Sequence, residues 1–278
     1  MTAAMPTSLP FGLRDVKIYP FLDAQGTILA NQGFDLPNAQ TFSFKDTEDF
    51  VDLRGDDELV ATHGNGAQVS WTLEAGGIAL QIWAIFTGGQ IIESGVAPNR
   101  VITLRKCSDD ARPYFQVRGL VMSDSGGDMT GVVYRAKCNG DISGSFADGQ
   151  FFVTACDGIG LAIPGTKLLY DLIQHETRTF LSTTAPAIPI LPPKNLVAVP
   201  TSATAGTAVW EPVTGATGYR VQTSVDDGTT WVTVSTDPTT ATSGLGTLVT
   251  ATDYLVRVAT KIGTDISYYS APVAFTTP

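Results

Sequence analysis

Short runs in which apolar and polar residues alternate, separated by turn residues, recur along the chain and predict β-structure in most of it. In Gln68-Val69-Ser70-Trp71-Thr72-Leu73-Glu74 every second residue is apolar, the period of a strand with one buried face. Pro113 to Val121 alternates in the same way apart from the aromatic pair Tyr114-Phe115. Asn139-Gly140, set between Val132–Lys137 and Ile142–Phe146, is a two-residue hairpin signal, and Asp148-Gly149 leads into Phe151–Thr154 as the next strand of a meander. One segment breaks the pattern. Gly77 to Thr87 is apolar nearly all round and ends at Gly88-Gly89, which predicts a helix that its own domain or a neighbouring subunit must cover. Lys167 to Leu181 offers a helical face through Leu168, Leu169, Leu172 and Ile173, yet Thr177–Phe180 prefers strand; a closing strand is the favoured reading.

Four prolines between Thr183 and Pro193 exclude helix and ladder pairing and predict a stiff linker, residues 183–193, between a first domain, 1–182, and a second, 194–278. Downstream, alternating segments repeat at Thr207–Glu211, Tyr219–Ser224, Thr230–Val234, Tyr254–Ala259 and Val273–Thr276, the pattern of a β-sandwich. Asp226-Asp227-Gly228 supplies the positive φ of a hairpin turn. Val209-Trp210-Glu211-Pro212 and the spacing Leu248-x-x-x-Thr252-x-Tyr254 resemble the fibronectin type III family. That resemblance implies that Trp210 fills the core and that Tyr254 makes a corner by bonding backbone upstream. It implies a fold and no particular function.

Composition narrows the function classes. With 278 residues, 43% hydrophobic and 16% charged, plus 28 Gly and 16 Pro, the chain is folded and turn-rich. Its net charge is -10, with 13 basic and 21 acidic residues before Ala185 and 4 and 6 after it, so the acidity sits mainly in the first domain. Such a balance argues against a sequence-specific nucleic-acid binder, while a wall that nucleic acid must slide past suits an acidic or neutral surface. Cys107, Cys138 and Cys156 are odd in number and form no C-x-x-C pair, so no disulfide framework is expected and the thiols read as buried small residues. Met1 to Leu13 lacks a basic segment leading into an apolar one, so no secretory signal is expected. The apolar segment Gly76–Gly89 is shorter than the ~20 residues of a membrane span.

Candidate chemistry is sparse. The two histidines, His63 and His175, stand near no recognisable nucleophile motif, and neither a Gly-x-Ser-x-Gly elbow nor a Gly-rich phosphate loop occurs. The chain therefore reads as non-enzymatic, needing no cofactor and no metal. The run Asp46, Glu48, Asp49, Asp52, Asp56, Asp57, Glu58 lacks the ligand spacing of a calcium loop and reads as a solvated acidic face. Ser123–Asp128 reads as a plain turn. Arg54-Gly55-Asp56 matches an adhesion tripeptide but lies inside that acidic stretch. Arg54, Asp56 and Asp57 are instead candidate inter-subunit contacts, docking onto basic groups of a neighbouring copy.

Several segments of the first domain, in order, resemble the major tail tube proteins of long-tailed phages that infect actinobacteria. They are Asp52–Asp57, Trp71–Ile78, Thr87-Gly88-Gly89, Pro113-Tyr114-Phe115, Phe146-x-Asp148-Gly149 and His175-Glu176-Thr177, spread across about Phe11 to Ser182. The resemblance implies a mainly β chain: a tail-tube-type β-sandwich or barrel with one packed α-helix, followed by a fibronectin type III-like (Ig-like) sandwich projecting outward. It further implies hexameric rings that stack into a conduit for DNA ejection, in the virion tail, after assembly in the host bacterial cytoplasm. The implied partners are further copies of the chain, the tape measure, terminator and distal tail proteins, phage DNA in transient passage, and host cell-surface glycans for the second domain. Physics agrees that a bore wide enough for duplex DNA needs several subunits in one wall, because even 16 to 18 strands enclose only an aqueous channel. The rival readings are a secreted bacterial carbohydrate-binding or hydrolytic protein with a fibronectin module, and another virion component of the head or baseplate.

Overall fold

The computed structural model describes residues 7–278 except Asp56 and Ser235. The chain divides into two compact units, Met1–Pro186 and Ala187–Pro278, each with its own apolar core.

In the first unit the chain forms β1 (Pro10–Pro20), β2 (Phe34–Asp35), β3 (Ala39–Gly55), β4 (Glu58–Gly76), α1 (Leu80–Thr87), β5 (Gln90–Ser94), β6 (Val101–Arg105), β7 (Phe115–Ser123), β8 (Asp128–Ser143), β9 (Val153–Gly160) and β10 (Tyr170–His175). Seven strands hydrogen-bond in the order β2-β1-β7-β8-β9-β4-β3, β10 adds to β8, and β5 with β6 makes a separate hairpin. The sheet curls on itself, so that Phe42 and Phe44 of β3 lie against Gly119 of β7 and Gly131 of β8, where a Cβ would strike the rings. Inside the curl lie Val16, Ile18, Trp71, Leu73, Phe115, Val117 and Val133. The strand period decides which residues enter: Val69, Trp71, Leu73 and Ala75 are buried while Ser70, Thr72 and Glu74 face water. Each large apolar side chain buried this way stabilises by roughly 1.5–3 kcal/mol.

The helix is shorter than its apolar run because Gly77 has φ 92° and Ala79 is extended, which holds the first helical residue at Leu80. Gly88, at φ 77°, ends it and donates to the Ala84 carbonyl. Ile82, Ile85 and Phe86 face the core, and Trp83 Nε1 donates to Thr154 Oγ1 at 3.0 Å. Its apolar residues are thus covered mostly within its own unit.

Asn139-Gly140 is not a hairpin. β8 runs through it, pairing with β7 and β10 by its first half and with β9 by its second. The ladder with β9 slips between Cys138 and Ile142, and at this bulge Gly140 has no Cβ to strike the Asp157 carboxylate. Arg112 Nη1 donates to the carbonyls of Cys138 and Gly140 at 3.2 and 2.7 Å, satisfying backbone that the slip takes out of the ladder. The chain reverses instead at residues 124–127 and through residues 144–152, where Phe146 and Phe151 lie in solvent rather than in strands.

Lys167 to Leu181 contains strand only at β10. Beyond it, the Thr183 carbonyl accepts from Gly33 N–H at 2.7 Å and Ala185 N–H donates to Asn31 at 2.9 Å, tying residues expected at the start of the linker to the first unit. Cys138 and Cys156 are buried; Cys107, expected to be buried too, is exposed. It lies just beyond the β5–β6 hairpin, outside the main sheet, in a turn where its N–H donates to Asp110 Oδ2 at 2.7 Å.

In the second unit β11 (Val197–Ser202), β12 (Ala205–Val209) and β15 (Thr242–Gly244) form one sheet. The other runs β14 (Val232–Thr233), β13 (Gly218–Ser224), β16 (Asp253–Ile262), β17 (Asp265–Ile266), with β18 (Val273–Thr276) on β16. Asp227 and Gly228, at φ 53° and 82°, turn β13 into β14, and hydrogen bonds from Thr230 hold the Asp226 carboxyl down at about 2. Trp210 meets Tyr219 edge to face at 5.2 Å in the core. Tyr254 Oη accepts from Val249 N–H at 2.9 Å, the corner that the sequence spacing implied. Tyr254→Phe strands that part-buried N–H and is expected to lower the second unit's stability by about 1–3 kcal/mol in urea unfolding, with the first unit's transition unchanged.

Candidate assembly interface

The distal half of β3 and β4 leaves the curled sheet. β9 pairs with β4 only from Val69 to Gly76, whereas β3 and β4 stay paired out to Gly55 and Glu58. From Glu48 onward the two strands form a ribbon about 25 Å long, at about 3.4 Å per residue. A two-stranded ribbon is marginal in water unless something packs on it. This one exposes Phe50, Val51, Leu53, Leu59 and Val60, each 55–64% accessible.

Alternation sorts the ribbon into two faces. Val51 and Leu53 sit opposite His63 and Ala61 and make one face mainly apolar. Asp52 and Arg54 occupy the other, where Thr62 Oγ1 donates to Asp52 Oδ1 at 2.9 Å and Arg54 Nη2 stands 3.7 Å from Asp52 Oδ2. Nearer the sheet, the Asp46 carboxylate receives the Tyr170 hydroxyl at 3.3 Å and holds that phenol above its ordinary value.

The candidate contact residues gather at the ribbon tip. Arg54 is exposed and paired only weakly with Asp52; Asp57, at φ 67°, belongs to the turn joining the strands; Asp56 lies outside the described residues. The acidic run is therefore mostly strand rather than loop. The apolar residues beside it, Val51, Leu53, Leu59 and Val60, were missed as functional candidates. Their signal is present in the sequence as β-formers spaced through the acids.

Among the described residues β3 pairs with β4 alone, so its far edge accompanies the ribbon. Cys107, Asp109 and Asp110 bring their ligand atoms within 4.8 Å of one another, but Lys106 Nζ stands 3.9 Å from the Asp110 carboxylate and the group is solvated.

No protein-family profile matches the chain. No curated protein matches it either. Among solved structures it is similar to fibronectin type III domains. An Fn3-like protein from Clostridium thermocellum is 25% identical over 31% of this chain and 91% of that one, with a TM-score of 0.29. The third fibronectin III domain of the human KIAA0343 protein is 20% identical over 33% of this chain and 84% of that one, with a TM-score of 0.28. The FN5 domain of Drosophila Lar is 22% identical over 31% and 95%, with a TM-score of 0.27. The second unit is a fibronectin type III-like sandwich by its own strand order, its Trp210 core and its Tyr254 corner.

Proposed function

We propose that the chain is the structural subunit of a phage tail tube, six copies closing a ring and rings stacking into the conduit through which DNA leaves the particle. The observation that carries this reading is the ribbon: five large apolar side chains on a two-stranded projection, each more than half accessible among the described residues. Val51 and Leu53 on one face, and Phe50 and Leu59 on the other, leave large apolar side chains exposed on both faces of the ribbon, and such exposure on a folded protein marks a contact with something else. The edge of β3, unpaired on its far side among the described residues, adds backbone of the kind that another strand completes. A further copy of the chain meets both needs, because a head-to-tail contact closes into a ring and a second such contact stacks rings.

The ribbon's charge suits the same partner. Between Asp46 and Glu58 seven carboxylates stand against Arg54 alone, so an apolar contact is framed by charges that oppose non-specific sticking. The ordered segments between Phe11 and Ser182 add their likeness to tail tube proteins. The fibronectin-like unit is carried as an appendage, for contact with host glycans or for bulk.

Electron microscopy of the purified full-length protein tests this reading. Rings or tubes with sixfold end views and an open axis are expected. A closed assembly without a central channel sinks it.

A further inference from the structure

The outer face of the sheet around β1 and β7 is not a plain solvent face. Tyr19, Gln116 and Arg118 point away from the core there, joined by Thr130 of β8 and by Ile173 and His175 of β10. Residues 179–186 fold over them and leave a cavity of about 210 Å³.

The polar groups around this cavity are held in place from behind. Arg118 Nε donates to Gln116 Oε1 at 3.1 Å, and its terminal amino groups meet no acceptor among the described residues. Burial lowers its pKa, opposed by the fields of Tyr134, Tyr19 and Asp171. Asp171, the one carboxylate among those fields, already accepts from Tyr134 Oη at 2.5 Å. His175 turns Nδ1 towards Asp128 Oδ1 at 3.6 Å. Its Nε2 is buried without a partner among the described residues. Asp128, 1% exposed, is fixed in turn by the N–H of Thr179 and by Thr179 Oγ1 at 2.8 Å. Opposite these groups, Ile173, Phe180, Leu181 and Pro186 make an apolar wall.

We infer that this cavity is a binding site for a small monocarboxylate with a short apolar body. The guanidinium of Arg118 presents two parallel N–H donors that match a carboxylate's two oxygens. His175 lines the same cavity, its Nδ1 standing 3.6 Å from Asp128 Oδ1. The volume corresponds to about seven waters at ~30 Å³ each, room for a ring or short chain behind the carboxylate. Asp128 and Asp171 lie behind the site, each already holding a donor from Thr179 or Tyr134, and oppose negative charge there, so that Arg118 offsets one carboxylate charge and not two. The same two carboxylates weigh against phosphate, which carries more charge and lacks an apolar side to set against Phe180 and Leu181. The inference does not depend on the assembly proposed above.

Calorimetric titration of the full-length protein with benzoate and, separately, with inorganic phosphate tests it. Benzoate is expected to bind saturably at millimolar concentrations with one site per chain, and phosphate more weakly. Arg118→Lys keeps the charge but loses the fork, and is expected to weaken benzoate roughly tenfold, the worth of one charge-assisted hydrogen bond. No saturable heat with benzoate, phosphate binding as tightly as benzoate, or an unchanged affinity in Arg118→Lys each overturns the assignment. The wild-type titrations decide alone if the variant does not fold.

Discussion

Val51→Asp combined with Leu53→Asp is expected to leave the chain folded and to abolish the proposed rings and tubes. Both residues lie on the apolar face of the ribbon, 57% and 61% accessible, opposite His63 and Ala61. Substitutions at such exposed positions change the stability of the isolated chain by only about 0.5 kcal/mol. In the proposed ring the same positions would be covered. Each valine or leucine then contributes about 1.5–3 kcal/mol, and an unpaired carboxylate in its place costs several kcal/mol more. The combined loss exceeds about 5 kcal/mol per contact, more than a thousandfold in association. Sedimentation velocity measures the loss of assembly and a thermal melt shows that the monomer is intact. Tubes of unchanged length and yield would remove the ribbon from the interface and leave the tail-tube reading without its main support.

How far the sequence disclosed this depends on where each signal is physically read. The second unit was legible because Tyr254 and the Asp226-Asp227-Gly228 turn each act within a few residues, through one bond or one backbone angle. The core strand Val69–Ala75 was legible for the same reason, its alternation being the pleat itself. Asn139-Gly140 misled because glycine serves a two-residue turn by its positive φ and this bulge by its missing Cβ, and only the pairing of β8 with β9 on the far side of a nine-residue loop decides between them. Cys107 was misplaced because burial depends on whether a hairpin joins the sheet, which local pattern does not record. The ribbon was hidden by its acids: Asp52, Asp56, Asp57 and Glu58 suggested a solvated turn, while the β-formers between them set the strand. The cavity at Arg118 joins β7, β8, β10 and the segment after it, so no stretch of sequence carries it.

Trp71→Ala is expected to destabilise the first unit by about 3–5 kcal/mol. Trp71 is 1% exposed and lies edge-on to Phe115 at 5.6 Å, with Gly158 of β9 leaving room for its ring. Its Nε1 has no hydrogen-bond partner among the described residues, so the truncation removes packing and no bond. The indole spans the space between β4, β9 and the aromatic pair Phe86–Phe115, and the strands on either side are fixed by their ladders, so the void does not close. Against a total stability of about 5–15 kcal/mol for a typical domain, this is a large fraction. Urea unfolding followed by circular dichroism should show the first unit's transition moving to lower denaturant. The second unit's transition should stay in place, because its core around Trp210 and Tyr254 shares no residue with that of Trp71. Movement of both transitions by the same amount would mean that the two cores unfold as one, and that the second unit stabilises the first.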